Sequence, residues 1–183
     1  LLPVHANFRA TENVFQTLGS PLGFAFQVGS HIVARDNRFD TVDYPFGFLD
    51  AADSVFEFSH NVARNVFLGA GVQGFQAYNA WVGFKRFPYG VPSKLFVTDN
   101  DLQVTDFAQG VLLLDFGDFV GYARSLDTVI TGNTIRTDAT SLEGVFAYFQ
   151  RSTVVRDNTI LGAGPAGVRI YGGPGIVRDN EIR

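Results

Sequence analysis

Apolar side chains recur along this chain at fixed distances from asparagine. Seven times an apolar residue is followed three residues later by an asparagine, and two residues after that by a second apolar residue. The asparagines are Asn13, Asn37, Asn65, Asn100, Asn133, Asn158 and Asn180. Successive members are 22 to 35 residues apart, an interval at which internal repeats indicate a solenoid. The pattern therefore predicts about seven stacked repeats, which we call coils.

A second repeat accompanies the first. In six coils the asparagine is followed, after 9 to 11 residues, by a glycine that opens a short apolar strand. These glycines are Gly23, Gly47, Gly74, Gly110, Gly144 and Gly167. The first and third residues after each glycine share one face of a strand, because side chains alternate with a period of two. Nearly all of them are apolar, so we expect that face to line the interior.

The asparagine segment contains a bend. The apolar positions on its two sides are five residues apart, whereas strict alternation requires an even separation. One residue must be absorbed in the bend, and asparagine tolerates the left-handed conformation that a bend needs. Stacked from coil to coil, the seven side-chain amides are expected to form a hydrogen-bonded ladder. The alternative is seven unrelated surface turns, which would not explain the matching apolar positions.

The repeats VRDNTI around Asn158 and VRDNEI around Asn180 resemble the V-x-x-N-x-I repeats of the right-handed parallel β-helix family. Pectate lyases, polygalacturonases, alginate epimerases and phage tailspikes share this fold. The resemblance extends from about Asn13 to Ile182. It implies an all-β, pectate-lyase-like, right-handed parallel β-helix (solenoid) of about seven coils with an asparagine ladder. It says less about activity, because such repeats also occur in periplasmic accessory proteins, adhesins and fibres.

Composition agrees with a rigid stack. Hydrophobic residues make up 46% of the chain, and 19 Phe and 20 Gly supply interior rows and tight corners. The net charge is −4 without a basic stretch, so nucleic acid is not an expected partner. There is no cysteine, and no apolar run reaches the roughly 18 residues of a membrane span. We expect an extracellular, cell-surface or periplasmic protein.

The chain begins at Leu1 without methionine and ends immediately after a repeat. Residues 1–183 are therefore expected to form a single β-helix domain of a longer protein. Two coils carry insertions on the same side of the stack, at about residues 79–94 and 115–127. We expect these loops to be neighbours, one coil apart, and to form the binding face.

The aromatic and charged residues of the two loops suit a polysaccharide. Aromatic rings offer apolar faces to pyranose rings, and arginine or lysine can pair with uronate carboxylates. The candidate substrate-binding residues are Trp81, Phe84, Phe87 and Tyr122. The alternative is that these aromatic side chains pack back on the stack and cover its edge.

Catalysis by these loops could take two forms. A lyase or epimerase would use Arg86 or Arg124 to neutralise the uronate carboxylate, and Lys85, Tyr89 or Tyr122 to transfer the proton. A hydrolase would need two carboxylates, and the nearest spaced pair consists of Asp115 and Asp118. The Tyr-Gly-Phe-Asp-Pro-His signature of alginate epimerases and the Asp-Asp and Arg-x-Lys motifs of polygalacturonases are absent. Enzyme activity therefore stays open, with a lyase or epimerase favoured over a hydrolase.

No cofactor is predicted. One histidine in each of the first three coils could form a metal site, but ordinary corner residues are the preferred interpretation; they are His5, His31 and His60. Four aspartates precede a ladder asparagine and are the only pattern that suggests calcium: Asp36, Asp99, Asp157 and Asp179. Because Arg64 and Gly132 interrupt that row, we interpret them as solvated turn residues.

One outward strand face is unexpectedly apolar. It comprises Leu49, Leu112, Leu114, Phe146 and Tyr148. A patch of this kind is expected to be covered by the inserted loops, by a neighbouring domain or by a second copy of the chain. The second functional hypothesis follows from it: a non-enzymatic structural or adhesive rod that assembles through this face.

Overall fold

The described residues of this computed structural model form parallel strands and no helix. They are residues 5–16, 19, 21–42, 45–66, 92–105, 109–114, 126–138, 140–162 and 164–183. Side chains are described for all of them except Ala25, Phe26, Phe48, Leu49, Asp50 and Asn65. The all-β class predicted from the sequence is confirmed.

The first sheet contains one strand from each of seven repeats. Its strands, in spatial order, are β1 (Asn7–Thr11), β4 (His31–Arg35), β7 (Val55–Ser59), β9 (Ser93–Thr98), β12 (Leu126–Thr131), β15 (Ser152–Arg156) and β18 (Gly175–Arg178). Each strand pairs in parallel with its counterpart in the next repeat. Spatial order follows chain order, as stacked repeats require.

The second sheet repeats this arrangement on the other side of the asparagine. Its seven strands are β2 (Val14–Gln16), β5 (Arg38–Asp40), β8 (Val62–Val66), β10 (Asp101–Val104), β13 (Thr134–Arg136), β16 (Thr159–Leu161) and β19 (Glu181–Ile182). The glycine-led strands form a third sheet of β11 (Val111–Leu114), β14 (Glu143–Tyr148) and β17 (Ala166–Tyr171), and a separate pair of β3 (Leu22–Val28) and β6 (Phe46–Ala52).

An asparagine ladder joins the first and second sheets in every repeat. Asn100 shows its geometry: the backbone N–H and Nδ2 both donate to Oδ1 of Asn133, at 3.0 and 2.9 Å. Nδ2 also donates to the backbone oxygen of Phe58 in the preceding repeat, at 2.9 Å. The same pattern confirms the predicted ladder positions Asn13, Asn37, Asn100, Asn133, Asn158 and Asn180.

The predicted third rung, Asn65, is wrong. Asn61 takes this place: its Oδ1 accepts from Asn37, and its own amide donates to Asn100. Asn65 lies four residues later, inside β8. Both asparagines have apolar residues at the required offsets, so the local pattern could not separate them.

The left-handed residue of the bend is also different from the prediction. It is the residue before each ladder asparagine, with φ between 54° and 69°, and not the asparagine itself. These residues are Glu12, Asp36, His60, Asp99, Gly132, Asp157 and Asp179. The asparagine thereby keeps its backbone N–H aimed along the stack, where it donates to the next rung.

The interior is lined by the alternating positions that the sequence indicates. Val111, Leu113, Val145 and Ala147 of the glycine-led strands are fully buried, which confirms their predicted inward face. Gly144 opens one of these strands because a side chain would not fit: a Cβ there would lie 2.5 Å from Cγ2 of Ile160 and 2.8 Å from the backbone oxygen of Gly167. A Cβ at Gly110 or Gly167 would likewise lie too close to an isoleucine of the following repeat.

Large and small residues change sides of the ladder between the second and third repeats. In the second repeat Ala34 precedes the asparagine and Phe39 follows it, whereas in the third repeat Phe58 precedes and Ala63 follows. The Phe39 ring lies 4.9 Å from that of Phe15 and 5.9 Å from that of Phe58. Reversing the order lets Phe58 fill the space beside Ala34 while Ala63 makes room next to Phe39.

A short serine ladder runs along the start of the first sheet. The Ala6 backbone N–H donates to Oγ of Ser30, the N–H of Ser30 donates to Oγ of Ser54, and the N–H of Ser54 donates to Oγ of Ser93. All three serines are buried. Each lies seven residues before a ladder asparagine, a spacing that the sequence analysis did not use.

Asp138 closes the turn after β13. Its Oδ1 accepts hydrogen bonds from the hydroxyls and backbone N–H groups of Thr140 and Ser141. The side-chain bonds from Thr140 and then Ser141 lower the pKa of Asp138 from 3.8 to about 2. Because the folded-state pKa is depressed, this turn stabilises the fold above pH 3.8 and loses that contribution as the pH falls toward about 2.

We therefore expect the melting temperature of Asp138→Asn to depend less on pH than that of the wild type between about pH 4 and pH 2. Near neutral pH the variant should melt at a lower temperature, since the charged acceptor is lost. Thermal unfolding followed by circular dichroism across this pH range measures both effects. An unchanged pH profile would contradict the assigned role of Asp138.

Candidate functional site

The predicted catalytic and substrate-binding residues lie outside the described residues. The catalytic candidates are Lys85, Arg86, Tyr89, Asp115, Asp118 and Arg124. The substrate-binding candidates are Trp81, Phe84, Phe87 and Tyr122. All ten stay predictions, and the candidate site is built below from the strands into which these segments lead.

The ends of the two predicted insertions are neighbours. Ser93 and Lys94, counted as loop residues in the first insertion, begin β9, and Leu126 and Asp127 of the second begin β12. Ser93 pairs with Leu126, and Lys94 pairs with Asp127. Paired strands are about 4.8 Å apart, so both segments enter the first sheet at the same edge. The last two residues of each predicted insertion therefore belong to strands.

A charged group occupies this edge. Asp127 accepts a hydrogen bond from Oγ of Ser152 at 2.5 Å and forms an ion pair with Arg151 at 2.9 Å. Lys94, its register partner, is exposed and makes no ion pair with any described residue. Lys94 and Arg151 can thus offer N–H donors to an anionic or hydroxyl-rich ligand lying along the loop exits.

Aromatic rings stack on the outward face of the third sheet. Tyr148 and Tyr171 are register partners with ring centroids 5.3 Å apart and planes within 5°. Phe149 meets both rings edge-on, at 4.6 and 5.6 Å. Tyr171 is 57% exposed. An exposed tyrosine ring can accept the apolar side of a sugar ring.

The predicted partner face needs one correction. Leu112 points outward but is only 8% exposed, so it is already covered and is not part of an accessible patch. Leu114, Phe146 and Tyr148 are half-buried, and the side chain of Leu49 lies outside the described set. The accessible part of this face is therefore aromatic and lies near Tyr171.

An ion pair between a buried carboxylate and an exposed guanidinium borders the aromatic stack. Glu143 is 5% exposed at its side chain, and its Oε1 lies 2.9 Å from Nη1 of Arg169. Gln109 Nε2 donates to the other carboxylate oxygen at 3.4 Å. Arg169 is 51% exposed and is the register partner of Phe146. Glu143 thus holds a solvent-facing guanidinium beside the rings, and the remaining N–H groups of that guanidinium can bind a ligand.

A second charged network crosses the second sheet. Asp101 forms ion pairs with Arg64 of the preceding repeat and Arg136 of the following one. Partial burial raises the pKa of Asp101, but the hydrogen bonds and charges of the two arginines outweigh it and lower the pKa below its usual value. Both arginines pair with the same carboxylate, so this network connects three repeats.

Two of the histidines considered as metal ligands, His31 and His60, have different partners. His31 begins β4 and pairs with Glu57 at 2.8 Å, whereas His60 follows β7 and lies 3.8 Å from Asp99. Within the described ranges no group of three or more His, Asp or Glu side chains is placed to hold a metal ion. His60, not Arg64, precedes the third rung, so the row that contains Asp36 and Asp99 runs through a histidine.

Neither the Glu143–Arg169 pair nor the Lys94–Asp127 edge was singled out from the sequence. Their members belong to different repeats and meet only through the register of paired strands.

Comparison with known protein families, curated proteins and solved structures finds no match. The described part of the chain contains no helix that could cross a membrane.

Proposed function

We propose that this chain is an extracytoplasmic, right-handed parallel β-helix module that binds polysaccharide. The observation that carries the proposal is the outward surface of the third sheet, where the stacked rings of Tyr148 and Tyr171 lie beside the exposed guanidinium of Arg169. Aromatic faces and cationic forks are the groups that bind pyranose rings and uronate carboxylates.

The described residue before the second insertion belongs to this surface. Leu114 is the register partner of Tyr148, and the first described residue after the insertion, Leu126, pairs with Ser93 in the first sheet. The aromatic and charged residues predicted in the insertions would extend the surface that Tyr171 and Arg169 begin. A polysaccharide lyase or epimerase would place its proton-transfer group in these segments, with Arg86 or Arg124 at the substrate carboxylate.

We expect Tyr171→Ala to weaken binding of polygalacturonate or alginate about tenfold, since a lost ring contact is worth about 1.4 kcal/mol. Arg169→Lys should weaken the binding of uronate polymers more than the binding of neutral glucans. Lysine keeps the positive charge opposite Glu143 but lacks the planar guanidinium that forms two parallel hydrogen bonds to a carboxylate. Titration calorimetry against a panel of uronate and neutral polysaccharides measures both effects.

The matched control is Ile176→Ala, which removes a side chain of similar exposure, 55%, from the first sheet. It should leave binding unchanged. Equal losses in Ile176→Ala and Tyr171→Ala would refute the proposed surface. Formation of unsaturated uronate, followed by ultraviolet absorbance and abolished in Arg86→Ala or Arg124→Ala, would identify a lyase. Binding without turnover would identify a recognition module.

A structural or adhesive rod is the second candidate. The observation that favours it is the unbroken stack: the ladder and two sheets continue through seven repeats, and the half-buried Leu114, Phe146 and Tyr148 line one outward face. If no polysaccharide binds and Tyr148→Lys converts an oligomer to a monomer in analytical ultracentrifugation, the rod replaces the binding module.

A further inference from the structure

Two threonine hydroxyls lie side by side inside the stack without a partner. Thr128 on β12 and Thr153 on β15 are register partners, and each is 1% exposed. Neither Oγ1 atom makes a hydrogen bond. Because an unpartnered buried hydroxyl is costly, nearly all such groups in proteins bond to protein or to ordered water.

The strand spacing explains why the two hydroxyls do not bond each other. Register partners are about 4.8 Å apart, whereas a direct bond between hydroxyls needs about 2.5 to 3.0 Å. A water molecule about 2.8 Å from each oxygen can join two oxygens separated by up to about 5.6 Å. At this strand spacing a direct bond is out of reach, in agreement with its absence, and a water bridge fits.

The interior row that contains these threonines becomes smaller along the stack. Its members from the second repeat onward are Ile32, Phe56, Leu95, Thr128, Thr153 and Gly175. At the level of Gly175 the interior is filled by Ile170, whose Cδ1 would lie 2.5 Å from a Cβ on that glycine. Thr128 and Thr153 thus bring less volume than Phe56 and Leu95 to the middle of the row.

We propose that a water molecule bound between the fifth and sixth repeats bridges Thr128 and Thr153. One threonine donates its hydroxyl proton to the water, and the water donates to the second hydroxyl. This site is in the core and does not depend on the proposed function. It explains why an otherwise apolar interior row keeps two threonines on neighbouring rungs.

The test is a double-mutant cycle with valine, which has nearly the shape of threonine but no hydroxyl. Thr128→Val and Thr153→Val are each expected to lower the melting temperature by about 2–6 °C, because the water loses a partner. The double variant should lose clearly less than the sum, since both hydroxyls share one water. Thr131→Val, half-buried on the outer side of β12, is the control and should change the melting temperature by less than about 2 °C.

Valine variants that melt higher than the wild type, with additive effects, would show that the hydroxyls are merely unpaired, and would overturn the bridge. A high-resolution crystal structure provides a check that needs no variant. Density for a water within hydrogen-bond distance of both hydroxyls supports the proposal, and an unhydrated pair of threonines contradicts it.

Discussion

Replacing Asn100 with alanine is expected to lower the free energy of unfolding by about 3–5 kcal/mol. Asn100 is 2% exposed, and its Oδ1 accepts from both the backbone N–H and Nδ2 of Asn61. Its own Nδ2 donates to Asn133 and to the backbone oxygen of Phe58. The substitution leaves two buried donors and one buried carbonyl short of a partner, and each costs about 1–3 kcal/mol. Urea unfolding measures the loss.

Asn13→Ala is the matched control. Asn13 is the exposed first rung, and it donates to Thr11 and Asn37 without accepting from an earlier rung among the described residues. We expect a loss of about 0.5–1 kcal/mol, because water can replace the lost bonds. Similar losses at both positions would mean that burial of the ladder does not determine its contribution.

Exchanging Phe58 and Ala63 is expected to cost much less than the two single substitutions together. Phe58→Ala alone should destabilise by about 3–5 kcal/mol through the cavity it leaves. Ala63→Phe alone should cost about 1–3 kcal/mol, because the new ring meets Phe58 and Leu102 in a filled interior. In the double variant a phenylalanine at 63 can lie on Phe39, its register partner, as Phe39 lies on Phe15 at 4.9 Å.

We expect the double variant to recover at least about 2 kcal/mol of the summed loss, measured by urea unfolding in a double-mutant cycle. Phe56→Ala combined with Ala63→Phe is the control pair. Phe56 is equally buried but lies in another interior row, between Ile32 and Leu95, so its removal should not make room for a ring at 63. Additive losses in the Phe58 and Ala63 pair would contradict size complementarity across the ladder.

The fold was predictable to the extent that its signals are local. The offsets of apolar residues from each asparagine and each glycine depend only on the backbone period, so the inward positions Val111 and Val145 and six of the seven ladder asparagines could be read directly. The serine ladder was less readable, because its constant spacing of seven residues before the asparagine exists only once Asn61 replaces Asn65 as the third rung.

The candidate site was less predictable because its residues are distant in sequence. Glu143 and Arg169 come together only because β14 and β17 pair in one particular register. The pairing of Lys94 with Asp127 likewise depends on which residue of β9 lies opposite β12. A shift of one residue would turn every side chain to the other face, and no local pattern excludes such a shift.

The sequence by itself determined an all-β stack of about seven repeats, its inward face and the principle of an asparagine ladder, because these follow from a periodicity that every repeat restates. The tertiary structure decided the third rung, Asn61 instead of Asn65. It also showed that the residue before each ladder asparagine, and not the asparagine itself, has the left-handed φ. Two asparagines four residues apart satisfy the same local rule, and only packing between repeats, with Phe58 beside Ala34 and Ala63 beside Phe39, selects one of them.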